Sequence, residues 1–354
     1  MTAYDIFNGT IEPYPEVVSH SHNRFVNVVK VLVPIIIFFL VFVGVVGNGM
    51  VLFVICRHRD MKTITNYFIA NLAVSDVAFL LTCAIPTALI IGGVLNMEAA
   101  MCKGINYIMF VTVQATCLTL TAMSIDRYDL IVNAVRSRKS RTTTKALTIN
   151  LAVWAGSFVL HIPVAVYSDL HPSFGTCDTM FESDSGIKSF HIIATITMYL
   201  GPLLIILGCY VSILITVWRK TWKGTASAMA HARSIYRKRK ITRMVFIVVL
   251  LFAICWAPAH FLRVWQACNP NFYEIFINHF KLLNSVSFFA LCLCYFNSCC
   301  NPFIYAFTTT SFKGYFKRLF SRWAWCFDAS SGSPSGVTRS MPTKTTKEDP
   351  ECSC

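Results

Sequence analysis

The stretch LTAMSIDRYDLIV, residues 120–132, places two adjacent charges, Asp126 and Arg127, at the end of the apolar run 109–125. A charge held at the centre of a bilayer costs about 3 kcal/mol or more. The pair is less costly at the edge of a membrane span, and ionisable residues inside spans by default mark function. The stretch therefore predicts the end of a transmembrane helix that carries a functional charge pair.

The composition of the whole chain is that of a membrane protein. Of its 354 residues, 55% are hydrophobic and 14% are charged, and the mean hydropathy is +0.57; a soluble domain carries roughly a quarter charged residues. A helical span needs about 20 mostly apolar residues. Seven such runs are present: 29–56, 65–92, 104–132, 146–167, 190–217, 243–265 and 282–307. We therefore expect an all-α membrane protein, a seven-transmembrane helix bundle. The polar first residues predict no signal peptide.

The basic residues predict how the bundle is oriented. Most of the 31 Lys and Arg residues fall in the loops after spans one, three and five and in the segment after span seven. Because cytoplasmic loops carry the excess of Lys and Arg, we expect an extracellular N-terminus and a cytoplasmic C-terminus. The sequon at Asn8 then predicts a glycosylated N-terminal segment, residues 1–28. The net charge of +14 indicates attraction to anionic inner-leaflet lipid and to a cytosolic partner, with no need for nucleic acid.

Most of the 15 cysteines lie inside the spans, where a thiol packs as a small apolar side chain. Three lie on the predicted outside: Cys102 at the start of span three, Cys177 in the loop after span four, and Cys268 at the end of span six. An oxidising exterior would pair Cys102 with Cys177 and pin that loop across the mouth of the bundle. Cys268 would then remain a free thiol.

The segment after span seven, TTTSFKGYFKRLFSRW, has the pattern of a short amphipathic helix that lies in the membrane interface. Apolar residues recur at helical spacing opposite basic ones, the two sets being Phe312, Tyr315, Phe316, Leu319, Phe320 and Lys313, Lys317, Arg318. We therefore expect a bundle over 29–308, this helix over 309–325, and a disordered cytoplasmic tail over 326–354. Cys326 is a candidate lipidation site. The basic stretch 220–240 suits helical extensions of spans five and six.

Six motifs occur in order and at matching depths in the spans. They are GNGMV (47–51), NLAVSD (71–76), SIDRY (124–128), Trp154 in span four, CWAP (255–258) and NPFIYAF (301–307). Together they resemble the rhodopsin-type (class A) G-protein-coupled receptors over roughly residues 30–325. The stretches ICRHRDMKTITNYFIANLAVSD and VQATCLTLTAMSIDRY are similar to kisspeptin receptors, and galanin and allatostatin-A receptors are the neighbouring families. The resemblance implies a receptor that acts through a heterotrimeric G protein.

Several polar residues fall near mid-membrane, where they must find partners. One interpretation is hydrogen-bond glue between helices, which suits Asn48 best. Another, for Asp76, is a protonated acid. The resemblance implies instead an allosteric sodium ion that favours the inactive state, with no other cofactor required. Its oxygen ligands would be carboxylate, hydroxyl and amide groups, carried by Asp76, Thr116, Asn297, Ser298 and Asn301.

Two prolines inside spans, Pro202 and Pro258, break helical hydrogen bonds and predict kinks that neighbouring groups re-satisfy. The resemblance implies that Trp256 and Phe252, with Pro202 and Cys117, relay ligand binding to an outward swing of span six. The alternative is plain aromatic packing in the core, which suits Phe252 equally well.

The resemblance also gives the charge pair a role. Arg127 is paired with Asp126 in the resting receptor and is released toward the G protein when span six moves, and Tyr210 and Tyr305 then meet Arg127. The residues assigned to this coupling switch are Asp126, Arg127, Tyr128, Tyr210, Lys238, Asn301, Pro302 and Tyr305. Three departures stand out: Lys238 lies where the family often has an acid, Ala134 where it has a proline, and the first outer loop lacks the usual tryptophan.

The ligand class follows from span three and from the outer segments. Amine receptors have an aspartate where this chain has Met109, and span seven has no lysine for a Schiff base. An acidic rim over an apolar cavity suits a cationic peptide with an aromatic, amidated end. Candidate contacts, each of which could equally be structural, are Met109, Gln114, Asp178, Glu182, His260, Arg263 and Tyr295.

The sequence therefore predicts a plasma-membrane receptor for a kisspeptin-like neuropeptide, acting through a Gq-type G protein and calcium. Arrestin and receptor kinases are expected at the Ser/Thr-rich tail. A galanin- or allatostatin-A-type ligand is the alternative. A transporter or channel is a distant one, because repeats and rings of charge are not visible. The histidines form no metal-binding spacing, so an enzyme is not expected.

Overall fold

The computed structural model describes residues 16–135, 137, 141–170, 177–179, 181, 183–221, 228–309 and 312–318. For residues 16–22, 219–221, 228–239 and 273 it describes the backbone only. The predictions for Asn8, Glu182, Cys326 and the tail therefore lie outside the described residues, as does the side chain of Lys238.

Seven helices in the described part of the chain are long and apolar enough to cross a membrane. Span one is α1 (Glu16–Arg57), and span two comprises α2 (Ile64–Phe79) and α3 (Ile85–Ile91). Span three is α4 (Ala99–Ile131), and span four comprises α5 (Thr143–Leu160) and α6 (Ile162–Tyr167). Span five comprises α7 (Asp184–Thr195) and α8 (Gly201–Thr221). Spans six and seven are α9 (Ala228–Cys268) and α11 (Phe280–Thr308). The predicted all-α seven-span fold is confirmed.

The structure has three smaller features that were not predicted from the sequence. A short helix, α10 (Phe272–Asn278), lies between spans six and seven. Strands β1 (Ser168–Leu170) and β2 (Cys177–Thr179) form an antiparallel hairpin after span four, with Leu170 opposite Cys177. A 3-10 turn, Arg59–Met61, follows span one. Residues 312–318 form the helix α12 expected after span seven.

Prolines explain where two spans depart from regular α-helix. Proline has no amide hydrogen, and its ring collides with the carbonyl of the residue four positions earlier. A π-helical turn, Ile196–Leu200, directly precedes Gly201 and Pro202 in span five, and another, Leu80–Ala84, precedes Pro86 in span two. The carbonyl of Met198, which Pro202 leaves without its helical donor, accepts a hydrogen bond from the Cys117 thiol of span three.

A second freed carbonyl lies in span seven. Pro302 leaves the carbonyl of Ser298 without its helical donor, and the Asn48 side chain of span one donates to it at 2.9 Å. A side chain on the neighbouring Gly47 would place its first carbon 3.0 Å from the Pro302 ring. The expectation that Asn48 joins helices is confirmed. The close approach of spans one and seven explains why glycine suits that position.

Span three is the centre of the bundle. In its most apolar window 72% of residues are buried, against 22% in spans four and five. Spans two and four join it through polar contacts, since Trp154 Nε1 donates to Asn71 Oδ1 at 2.8 Å and Asn71 Nδ2 donates to Thr119 Oγ1 at 2.7 Å. Large side chains such as Phe39 and Phe42 lie exposed on the outside of the bundle. Such an apolar exterior suits lipid rather than water.

Candidate functional site

One disulfide closes the end of the bundle at which span three begins, here called the disulfide end. Cys102 and Cys177 are bonded, with an S–S distance of 2.03 Å and a Cα–Cα distance of 5.4 Å. The bond ties strand β2 to the first turn of span three, so the hairpin lies across this end of the bundle. The predicted pairing is confirmed. Cys268 is exposed and free.

A cavity of about 230 Å³ lies beneath the hairpin, among spans two, three, five, six and seven. Its wall includes four of the seven predicted ligand contacts, Met109, His260, Arg263 and Tyr295. The wall is largely apolar and aromatic, as predicted. Residues that were not predicted as ligand contacts complete the wall, among them Phe79, Phe110, His191, Thr195, Gln266 and Leu291.

Two further predicted contacts lie away from this wall. Gln114 is buried deeper in the bundle, where its amide nitrogen donates to the carbonyl of Thr197 at 3.4 Å. That carbonyl belongs to the π-helical turn of span five, so the geometry gives Gln114 a structural role. Asp178 is in the hairpin, opposite Asp169, and its carboxylate accepts from the amide of Thr179 at 2.8 Å.

Arg263 is the one charged side chain in the described lining of the cavity. Its guanidinium carbon lies 5.5 Å from the centre of the Phe110 ring. One of its terminal nitrogens lies 3.8 Å from the sulfur of Met109. Below it, His260 shares a hydrogen bond of 3.4 Å with the Thr195 hydroxyl and stacks on Tyr199 with ring centres 4.8 Å apart. The cavity therefore presents a cation to whatever enters it.

The floor of the cavity is the aromatic cluster predicted to act as a relay. The Trp256 ring lies 5.8 Å from Phe79 and 6.0 Å from Phe252. Tyr199 adds a contact that the sequence did not reveal, because its hydroxyl donates to the carbonyl of Ala253 at 2.6 Å. Span five is thus hydrogen-bonded to span six just before the Pro258 kink. These residues connect the cavity to the segment of span six that is predicted to move.

All five predicted sodium residues are buried. Asn301 Nδ2 donates to Asp76 Oδ2 at 2.7 Å. Thr116 exchanges a hydrogen bond of 3.0 Å with Ser75.

The side-chain oxygens of Asn297 and Asn301 are buried and have no partner among the described residues. Sodium is a hard cation that takes oxygen ligands. A buried carboxylate, hydroxyls and two free amide oxygens are therefore donors of the kind that fits such an ion.

At the opposite end, here called the Arg127 end, Asp126 and Arg127 form the predicted pair. Arg127 Nη2 lies 2.5 Å from Asp126 Oδ2 and also bonds the Thr65 hydroxyl of span two. A second arginine, Arg141, binds the same carboxylate through two nitrogens at 2.7 and 3.0 Å. Arg141 was not predicted. It lies between spans three and four, where only its contribution to the basic loop was visible in the sequence.

The two tyrosines of the predicted switch do not bond Arg127 in this structure. The Tyr210 hydroxyl donates to the carbonyl of Thr242 at 3.3 Å, which links spans five and six. The Tyr305 hydroxyl is buried with no partner in the described part of the chain. Tyr128 is half-buried beside the core. With Arg127 still held by Asp126, this arrangement matches the one predicted for the resting receptor.

Helix α12 is tied to the loop after span one. The Tyr315 hydroxyl lies 2.8 and 2.7 Å from the two carboxylate oxygens of Asp60. Its ring stacks on His58 with centres 4.1 Å apart. The hydrogen bond to Asp60 raises the pKa of the Tyr315 hydroxyl. Phe312 and Phe316 are buried while Lys313 and Lys317 are exposed, so the described part of α12 has the predicted amphipathic character.

Comparison with known proteins identifies the family. Residues 47–305 match the family model of the 7 transmembrane receptor (rhodopsin family). The chain belongs to this family. It is therefore a receptor rather than an enzyme, and a multi-pass protein of the plasma membrane.

Among similar receptors, the KiSS-1 receptor of Rattus norvegicus is 38% identical over 296 residues, which cover 81% of this chain and 74% of the relative. The KiSS-1 receptor of Homo sapiens is also 38% identical, over 304 residues with the same shares. The somatostatin receptor type 3 of Homo sapiens is 32% identical over 302 residues, covering 82% of this chain and 68% of the relative.

Proposed function

We propose that this receptor binds an extracellular kisspeptin-like peptide with an aromatic, amidated C-terminus and signals through a Gq-type heterotrimeric G protein. The observation that carries the proposal is the cavity beneath the hairpin, which is apolar, rich in aromatic side chains and lined by Met109 where an amine receptor has an aspartate. The similarity to KiSS-1 receptors, at 38% identity over most of the chain, supports a peptide of that kind.

In this proposal the disulfide end faces outward and the Arg127 end faces the cytoplasm. The excess of Lys and Arg in the loops at the Arg127 end supports that orientation. The C-terminal tail is cytoplasmic, where its Ser and Thr residues are available to receptor kinases and arrestin. The basic face of α12, with Lys313 and Lys317 exposed, contacts the headgroups of anionic lipid.

The proposed signal runs from the floor of the cavity to the charge pair. A peptide end that contacts Trp256 changes the packing of this ring against Phe252. Span six then moves about Pro258, and the hydrogen bond between Tyr210 and the carbonyl of Thr242 opens. Arg127 leaves Asp126 and meets the G protein. A ligand drives this change only to the extent that it binds the moved state more tightly.

We also propose that Asp76, Thr116, Asn297, Ser298 and Asn301 hold an allosteric sodium ion in the resting receptor. The free amide oxygens of Asn297 and Asn301 support it. The ion would supply a positive charge that balances a buried, ionised carboxylate. These side chains lie on spans two, three and seven. An ion bound by all of them would therefore favour the resting arrangement of these three spans.

Calcium mobilisation in cells that express the receptor tests the ligand and the G protein together. Amidated kisspeptin-type peptides are expected to give a concentration-dependent calcium response, with galanin-, allatostatin-A- and somatostatin-type peptides tested in parallel. The matched control is Arg127→Ala, which should bind labelled peptide at the cell surface yet give no calcium signal.

A response confined to one of the other peptide types would overturn the kisspeptin-like ligand. Binding without calcium, accompanied by a change in cyclic AMP, would overturn Gq coupling.

A further inference from the structure

The cavity beneath the hairpin offers hydrogen-bond donors and a positive charge, but no carboxylate among its described lining residues. Arg263 has no acidic partner within 4.0 Å in the described part of the chain. The indole nitrogen of Trp256 and the Nε2 atom of His260 are buried and without partners there. When Nδ1 of His260 accepts from the Thr195 hydroxyl, Nε2 carries the proton and also donates.

The neighbours of Arg263 hold its side chain without neutralising its charge. The guanidinium lies over the Phe110 ring, 5.5 Å from its centre, and beside the sulfur of Met109 at 3.8 Å. An aromatic face and a thioether sulfur are weak partners for a guanidinium, whose five N–H groups match oxygen acceptors. A group that brings such an acceptor into the cavity gains a charge-assisted hydrogen bond, whereas an ammonium group meets a like charge.

We propose that Arg263 determines which end of the peptide enters the cavity, by binding the terminal oxygen acceptor of its C-terminus, a carboxamide carbonyl or a carboxylate. This inference rests on the proposed peptide-receptor function. The aromatic ring of the last residue packs among Phe79, Trp256 and Tyr295, which surround the floor. The N-terminal ammonium of the peptide is excluded from the cavity and remains toward the hairpin.

The position of the acidic residues agrees with a peptide whose C-terminus lies in the cavity and whose N-terminus lies toward the hairpin. Asp178, the one described acid among the predicted contacts, lies in the hairpin rather than in the wall. Its register opposite Asp169 gives the hairpin negative charge. A peptide with basic residues before its C-terminal end therefore meets acid at the hairpin and a cation deeper in the cavity. The two charges act on different parts of one ligand.

The test uses three forms of one kisspeptin-type peptide that ends in phenylalanine. The first has a C-terminal carboxamide, the second a free carboxylate, and the third a phenethylamide end that lacks the terminal carbonyl group. Competition binding and calcium signalling are measured on the full-length parent receptor and on three variants of it, Arg263→Gln, Arg263→Lys and Arg263→Glu. The matched control is Lys188→Gln, which removes one positive charge from an exposed position at the same end.

In the parent receptor the carboxamide and carboxylate forms are expected to bind at least about ten-fold more tightly than the phenethylamide, as for a hydrogen bond to a charged group. Arg263→Gln should remove most of that advantage by weakening the two oxygen-bearing forms alone. Arg263→Lys should keep the affinity advantage of the carboxamide and carboxylate forms. Arg263→Glu should weaken binding of the carboxylate form most. Lys188→Gln should leave the order of the three affinities unchanged. Surface labelling shows whether each variant folds.

Equal binding of all three forms by the parent receptor would overturn the inference while leaving a peptide receptor in place. An equal loss of affinity for all three forms in Arg263→Gln would also overturn the inference, since the arginine would then contribute only to the shape of the cavity. If no peptide binds the parent receptor, the proposed function fails separately. In that case N-acetylphenylalanine amide and phenethylamine serve as probes, and the thermal unfolding of the purified receptor is measured with each. The inference fails unless N-acetylphenylalanine amide alone protects the receptor and Arg263→Gln abolishes this protection.

Discussion

Replacing Arg141 with alanine tests how the charge pair at the Arg127 end works. The Asp126 carboxylate is 8% exposed and binds two cations, Arg127 and Arg141. In the proposed mechanism Arg127 leaves Asp126 on activation, while Arg141 keeps the buried carboxylate paired. Without Arg141, departure of Arg127 would leave a buried carboxylate with neither arginine, which is unfavourable. We therefore expect Arg141→Ala to favour the resting receptor.

The magnitude follows from the geometry and exposure of the contact. Arg141 makes two hydrogen bonds to Asp126, at 2.7 and 3.0 Å, and its side chain is 21% exposed. A hydrogen bond to a charged group contributes about 1.5–3 kcal/mol when buried, and an exposed ion pair contributes about 0–1 kcal/mol. For this partly exposed pair we take a contribution of about 1 kcal/mol to the free-energy difference between the resting and active forms. That value corresponds to a shift of about five-fold in the equilibrium between resting and active forms.

The assay is inositol phosphate accumulation at matched surface expression, with and without peptide. Arg141→Ala is expected to raise the half-maximal peptide concentration about five-fold and to lower the ligand-free signal. Arg141→Lys, which keeps the charge but not the two-nitrogen contact, should lie between parent and alanine variant. Lys145→Ala, an exposed change in the first turn of span four, is the control and should have no effect. A ligand-free signal that rises in Arg141→Ala would refute the reasoning, because Arg141 would then stabilise the resting form.

Three further predictions concern other parts of the bundle. Peptide affinity should fall as sodium replaces potassium at constant ionic strength, and Asp76→Asn should abolish that dependence; an equal effect of the two ions in the parent would exclude the sodium site. Tyr199→Phe removes the donor to the carbonyl of Ala253 while keeping the ring, so thermal unfolding of the purified receptor should show a loss of about 1 kcal/mol; an unchanged midpoint would show that this bond contributes nothing. Lys238→Glu places an acid at the Arg127 end of span six that attracts Arg127, so the ligand-free signal should fall about two- to five-fold with the maximal response kept; an equal fall in both would instead indicate a contact with the G protein.

The sequence predicted the features that depend on local patterns. Apolar runs gave the seven spans, because a bilayer requires about 20 apolar residues in a row. Each of the seven described spans nevertheless begins before the predicted run, as span six does by beginning at Ala228, since helices continue beyond the hydrocarbon layer. Spans two and three end one residue before the predicted boundary, at Ile91 and Ile131. Motif residues such as Asp126, Asp76 and Trp256 were found because their identity and spacing are distinctive. The hairpin was missed because three-residue strands leave no periodic signal.

Contacts made by the path of a loop could not be predicted in the same way. Arg141 is fifteen positions from Asp126 in sequence, and nothing in a run of basic residues indicates which of them folds back. The contact of Tyr315 with Asp60 is similar, since it joins α12 to a loop 255 positions away. The charge of the cavity was also missed, because Arg263 was one candidate among several until the structure placed it in the wall and Asp178 outside it.

The prolines connect these observations to the movement of the spans. Each proline in a span removes one helical hydrogen bond, and the exposed carbonyl must find a donor because the bilayer supplies none. In spans five and seven that donor comes from another span, since Cys117 bonds the carbonyl of Met198 and Asn48 bonds that of Ser298.

A further bond between spans lies beside the Pro258 kink. Tyr199 of span five donates to the carbonyl of Ala253, one residue before Ile254, whose carbonyl Pro258 leaves without its helical donor. Three bonds between spans thus lie at or beside the points where the helices bend most easily. In the proposed mechanism, a change in the angle of one span exchanges hydrogen bonds with its neighbours rather than losing bonds within a helix. Closely packed spans would in this way respond together to a ligand at the disulfide end.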